Sequence, residues 1–178
     1  MTLNLKEKIS IKVEVLKSIS DLDLADLCNI TEQAIKAGGG FGWLKVPPRE
    51  TLNKYWNGLV VVKNRILIAG RLNDAIAGAL QVGLQPLNNE AQKKICNITS
   101  HFIAPWARGY GLAKKMIDMA EVIAHENNVS CVQLDIRETQ EAAIQLFRSK
   151  GYKQWGINPN YAQVEGKTIK GLYFYKNI

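Results

Sequence analysis

Phe102-Ile103-Ala104-Pro105-Trp106-Ala107-Arg108-Gly109-Tyr110-Gly111-Leu112-Ala113 is the stretch on which the fold turns. An apolar strand stops at Pro105, a short loop carries Arg108, and an amphipathic helix starts at about Gly109. Small residues at a helix start leave successive main-chain N–H groups pointing into open space. Those unpaired donors and the positive end of the helix dipole make an anion site. Arg108 adds a fixed positive charge beside it. A P-loop would need Gly-Lys-Ser/Thr, which is absent. A Rossmann fingerprint would need a third glycine where Lys114 stands. The pattern that remains is Arg/Gln-x-x-Gly-x-Gly/Ala, met by Arg108, Gly111 and Ala113.

Outward from that stretch, the chain reads as one domain of 178 residues, 47% hydrophobic and 22% charged, which argues against intrinsic disorder. Lys plus Arg number 23 against 16 Asp plus Glu, a net +7 that points to an anionic partner without choosing it. The basic residues (Lys63, Arg65, Lys93, Lys94, Lys114, Lys115, Lys153) are dispersed, without a basic run, so a nucleic-acid surface is not expected. The longest uncharged stretch, Ala75 to Asn89, is too short for a bilayer, and Lys6, Glu7 and Lys8 stand where a signal peptide needs apolar residues. Cys28, Cys96 and Cys131 lie far apart without metal-ligand spacing; they are expected reduced, with no metal. A cytoplasmic protein without membrane contact is the expectation.

Strand and helix patterns alternate. Ile11, Val13 and Val15 mark a strand, and residues 1–10 a short N-terminal extension before a domain over 11–178. Ser20 or Asp21 caps a helix that Gly38-Gly39-Gly40 stops. Pro47 and Pro48 open a second helix through Tyr55 and Trp56. Strands over Arg65–Leu72 and Ala75–Leu84 meet at Asn73-Asp74, and Ile95–Ile103 is the next. A helix carrying Leu112, Met116 and Ile123 follows, then a strand over Val129–Asp135, a helix over Glu138–Lys150, and a hairpin turning at Glu165-Gly166. The expected class is α/β (α+β): a mixed, mostly antiparallel twisted sheet of six to seven strands flanked by about four helices.

With Arg108, Gly111 and Ala113 in place, Leu134-Asp135 closing a strand some way on, and Ala143 to Gly151-Tyr152 forming a helix that ends in Gly-Tyr, the chain resembles the GCN5-related N-acetyltransferase (GNAT) family. Gly38-Gly39-Gly40, Trp56-x-Gly58-Leu59, Pro105-x-Ala107-Arg108-Gly109 and the ending Tyr161…Tyr173-Phe174 are similar to its tabtoxin-resistance-type members. The resemblance implies acetyl-CoA as co-substrate. Its pyrophosphate would rest on Arg108, Gly109, Tyr110, Gly111, Leu112 and Ala113. Its pantetheine would run along the strand at Phe102 and Ile103 and past Gln140, Ala143 and Phe147. Gln140 stands where the family commonly has Asn.

The implied reaction is direct attack by an amine, on a small molecule or at a peptide N-terminus, with a homodimer through the C-terminal strands common in such proteins. A general base is needed, and two residues stand open for it: Asp135, at a strand end, and His101, on the preceding strand. A main-chain N–H near Phe102 or Ile103 would face the thioester carbonyl. Phe147 occupies a position where the family often has the tyrosine that protonates the leaving thiolate, and it has no proton to give. Tyr161 and Tyr152 are the available phenols; water, or no acid at all, are the alternatives. A non-catalytic acyl-CoA-binding domain is the competing reading. Phe41 and Trp43, in the glycine- and aromatic-rich loop, are expected to wall the acceptor pocket.

Overall fold

Ile11, Val13 and Val15, each followed by a residue of the other face, give strand β1 (Ile11–Leu16); the computed structural model describes residues 9–39 and 41–178. The first eight residues of the expected extension, and Gly40 of the triple glycine, lie outside the described residues. Helix α1 (Asp21–Lys36) is capped by Ser20, whose Oγ accepts the N–H of Asp23 at 3.1 Å, and α2 (Arg49–Leu59) opens directly after Pro48. Then come β2 (Arg65–Leu72), β3 (Ala75–Leu84) and β4 (Ile95–Ile103), then helix α3 (Leu112–Glu126) and β5 (Cys131–Arg137). Helix α4 (Glu141–Ser149) and the hairpin β6 (Lys153–Val164) and β7 (Lys167–Asn177) complete the chain.

The seven strands form one sheet in the order β1-β2-β3-β4-β5-β7-β6, with every pair antiparallel except β4 with β5. That matches the expected mixed sheet and four helices. The turn at Asn73-Asp74 works without glycine because Asn73 itself takes a left-handed φ of +54°, which asparagine tolerates well. Helices cover both faces of the middle of the sheet, as β3 requires: Ile76 to Val82 are buried without a break. Helix α3 lies on β1 to β4, while α1 packs on β3 and β4 with α2 against it. Among the described residues, no helix is long and apolar enough to cross a membrane.

Three element boundaries differ from the sequence reading. Helix α3 begins at Leu112, not Gly109, because Gly109 and Gly111 hold φ of +87° and +76°, outside the right-handed helical region. Strand β5 runs from Cys131 to Arg137, past Asp135, because β7 pairs with it as far as Arg137↔Gly171. Helix α4 begins at Glu141, since Glu138 is tied by its main chain to Lys170.

The sheet divides at its centre. β4 and β5 pair only at Ile95↔Cys131, Cys96↔Val132 and Asn97↔Gln133; beyond that they part. In β4, three steps from Thr99 to Phe102 oppose two steps of β3 from Gln81 to Ala79, and Ser100 takes a φ of +49°. This bulge bends β4 away from β5. Phe174, fully buried on β7, anchors the β5–β7 half of the sheet. Phe174→Ala is expected to cost about 3–5 kcal/mol, read as a lower urea midpoint at unchanged slope.

Candidate active site

Two hollows open where β4 and β5 diverge. The larger is a cleft of about 830 Å³ running from Gly38 and Gly39, along Phe102 and Ile103, to Arg108, Gly109, Gly111, Leu112 and Ala113, with Gln140, Ala143 and Leu146 of the α4 region on its other wall. The smaller, about 100 Å³, lies between Ile98 to Phe102 of β4 and Leu134 to Arg137 of β5, closed by Phe41, Phe147 and Tyr161. His101, Phe102, Gln140 and Ala143 line both, so the two hollows meet at the β4 bulge.

At the far end of the cleft main-chain donors stand free. No side chain caps α3, and among the described residues nothing accepts from the main-chain N–H of Gly111, Leu112, Ala113 or Lys114. A Cβ placed on Gly109 or Gly111 would meet nothing within 4 Å, so the space in front of those amides is open. Along the cleft, β4 from Ile98 to Ile103 has lost its β5 partner, leaving main-chain groups on that side free for an extended ligand. Of the residues expected at this site, Tyr110 and Phe147 do not line the cleft; Tyr110 is exposed, and Phe147 closes the smaller pocket instead. Gln140 does line it, and its Nε2 also donates to the Gly38 carbonyl at 2.9 Å, holding the end of α1 over the opening.

In the smaller pocket Asp135 is exposed, and the hydroxyl of Tyr161 donates to its Oδ2. Tyr161 reaches it through a bulge in β6, where Asn158 to Ala162 oppose only Gly171 to Ile169. Its ring lies across Gly171, where an added Cβ would fall 2.3 Å from Cδ2; only glycine permits that approach. Burial, and then the bond to Asp135, push the Tyr161 phenol above its ordinary value, so it stays protonated.

His101 stands differently. It packs edge-on against Phe147 at 5.7 Å, its Nε2 is enclosed without a partner among the described residues, and burial lowers its pKa to about 4. It is therefore a neutral imidazole at physiological pH and a poor proton acceptor. Tyr152 is removed from the list of acids by its position: it is buried, it lines neither hollow, and its ring sits over Lys176 at 5.6 Å. Phe41 lines the smaller pocket and packs on Phe102 at 4.7 Å, as expected of a wall. Trp43 does not; it stacks edge-on with Tyr55 at 5.1 Å behind that wall.

Sequence reasoning missed two features. One is Arg137, whose Nη2 donates to the Phe41 carbonyl from the wall opposite β4; its signal was the two-residue spacing from Asp135. The other is a part-buried polar chain, centred on the buried Gln81, that reaches the bulge. Arg65 Nη1 donates to Gln81 Oε1 at 3.0 Å, Gln81 Nε2 donates to Tyr55 Oη at 2.7 Å, and Tyr55 Oη lies 3.4 Å from Ser100 Oγ. Nothing in the sequence marked a single glutamine inside an apolar strand as that link.

Residues 30–152 match the acetyltransferase (GNAT) family. The chain belongs to it. A relative from Azospirillum brasilense, an uncharacterized N-acetyltransferase in the hisH-hisA intergenic region, is 44% identical over 130 residues, covering 73% of this chain and 77% of the relative. The fold also superimposes on ribosomal-protein-alanine N-acetyltransferase from Brucella melitensis, with a TM-score of 0.78 at 17% identity, over 94% of this chain and 99% of that one. It superimposes likewise on yncA from Salmonella typhimurium, solved with acetyl-CoA, with a TM-score of 0.76 at 12% identity, over 94% and 93% of the two chains. This GNAT protein is an acetyl-CoA-dependent N-acetyltransferase. The free amides at α3 and the unpartnered flank of β4 fit such a donor, and among the described residues no cluster of three metal-ligating side chains exists.

Because folded His101 stays neutral while unfolded His101 titrates near 6.5, the unfolded chain binds more protons between about pH 6.5 and pH 4. Stability is fully present above pH 6.5 and is expected to fall as pH drops toward 4. His101→Gln should flatten that part of a pH series of denaturant midpoints.

Proposed function

We propose that this GNAT enzyme acetylates the primary amine of a small molecule or a peptide N-terminus, with Asp135 as general base. The observation that carries this reading is the Tyr161–Asp135 hydrogen bond in a pocket that opens onto the donor cleft. Acetyl-CoA supplies the acetyl thioester. Gly109, Gly111, Leu112 and Ala113, with Arg108 beside them, would hold its phosphates on free N–H groups. Phe102 and Ile103 would hold its extended arm by main-chain pairing, and Gln140 and Ala143 would form the opposite wall.

Asp135 would take one proton from the acceptor ammonium, freeing the nitrogen lone pair. The second proton leaves with the sulfur as CoA thiol. Tyr161 donates to Asp135 and, kept protonated, fixes which carboxylate oxygen stays open to the acceptor. His101 and Phe147 form a neutral, apolar floor that excludes water where the hollows meet. Phe147 needs no proton to do this, because a thiolate leaves readily and Tyr161 stands nearby.

The test separates the two halves of the site. Asp135→Asn is expected to lower kcat by roughly 10²- to 10⁴-fold with acetyl-CoA binding retained, in an assay of CoA thiol release paired with calorimetric titration. Gly111→Val should do the reverse, raising the KM for acetyl-CoA, because a β-branched residue resists the φ of +76° that aims the amides. An Asp135→Asn enzyme with the parent kcat would remove Asp135 as base.

A further inference from the structure

The smaller pocket presents two opposite charges that are not spent on each other. Asp135 and Arg137 lie two residues apart on β5, so both leave the same face of the sheet. Among the described residues, they are the charged side chains in the lining of that pocket. Side by side, such a pair would ordinarily close an ion bridge. Among the described residues, neither takes part in one. Each is held instead by a neutral partner: Asp135 by the Tyr161 hydroxyl, Arg137 by the Phe41 carbonyl. Arg137 uses Nη2 for that contact, and among the described residues its remaining N–H groups have no acceptor.

A separated carboxylate and guanidinium in one small hollow match a zwitterion. The ammonium end would meet Asp135, and the carboxylate end would meet the guanidinium, whose planar fork binds carboxylates in pairs of parallel hydrogen bonds. The volume points the same way. The pocket measures about 100 Å³, space for a small molecule rather than a length of polypeptide. A peptide N-terminus has an amide where a free amino acid has its carboxylate, and would leave Arg137 without an anion.

We infer that the acceptor is a free amino acid or a close analogue, its carboxylate held by Arg137 and its amine presented to Asp135. This rests on Asp135 as the proton acceptor. The guanidinium touches the acceptor but takes no part in proton transfer, so its loss should appear mainly in the acceptor KM.

Matched pairs test it. The twenty common L-amino acids and their carboxamides would be compared by CoA thiol release with the intact enzyme at saturating acetyl-CoA. The expected result is that at least one free acid is acetylated with kcat/KM roughly 10- to 100-fold above its amide. In Arg137→Gln that ratio should collapse toward one, and Arg137→Lys should recover part of it by keeping the charge without the fork. The ratio is read within one protein, and the parent enzyme alone decides if a variant fails to fold. Acid-to-amide ratios near one, or acetylation of amides alone, would overturn the carboxylate assignment and leave Asp135 as base untouched. Release of thiol from neither class would sink both.

Discussion

The parting of β4 and β5 after three residue pairs is the constraint on which everything else rests. A parallel pair that continued to Ile103 and Arg137 would close the sheet and leave no interior edge. Instead the extra residue in β4, with Ser100 at a φ of +49°, turns the strand outward. A non-glycine residue in that conformation costs of order 1–3 kcal/mol, and the neighbourhood has to hold it there. Gln81 is 1% exposed in the middle of β3, and its amide joins Arg65 on one side to Tyr55 on the other, with Tyr55 reaching Ser100. A polar side chain so deeply buried is tolerable only because both ends of its amide are satisfied. The strain at the opening and the polarity in the core are thus one feature.

From that opening the site divides by chemistry. On the proposed reading, the acceptor side is the pocket beside Asp135, and the donor side works through main-chain groups, the unpartnered flank of β4 and the free amides of α3. These are fixed by backbone conformation, so glycine matters there more than charge. The acceptor side works through side chains on β5 and β6, and depends on how two strands deliver them. Tyr161 reaches Asp135 only because β6 bulges and Gly171 lacks a side chain. The net +7 registers little of either side: amides carry no formal charge, Glu141 offsets one of Arg108 and Lys114 in the donor cleft, and the acceptor pocket is balanced.

This division explains what could be read in advance. The donor side was legible because it is local: Arg108, Gly111 and Ala113 sit within six residues, and the family resemblance reads that spacing as a helix start with open amides. The succession of strands and helices was legible from alternation and turns, though the place of β7 between β5 and β6 was not, and the start of α3 was not placed until the positive φ of Gly109 and Gly111 was seen. The acceptor side is assembled from Phe41, Ser100, Asp135 and Tyr161, which stand far apart in the chain, and no local pattern encodes their meeting. Trp43 shows the same limit. It shares a loop with Phe41, yet only Phe41 lines the pocket, because Trp43 finds its partner in Tyr55.

His101 and Tyr161 show why residue type is a weaker guide than environment. A histidine near a thioester suggests a base, and a tyrosine at a distance in sequence suggests little. Burial reverses the order. Enclosure against Phe147 lowers His101 to about 4 and strips it of useful basicity near neutrality. The same physics acts on Tyr161 with the opposite sign of charge: removing water disfavours the phenolate, so the proton stays on and the hydroxyl remains a donor toward Asp135. Asp135 is the exposed member of the three. An exposed carboxylate is open to an incoming ammonium, while its two partly buried neighbours are held neutral around it. On the proposed mechanism a proton then goes to Asp135, and the neutral His101 and Phe147 beneath the reacting nitrogen compete for none.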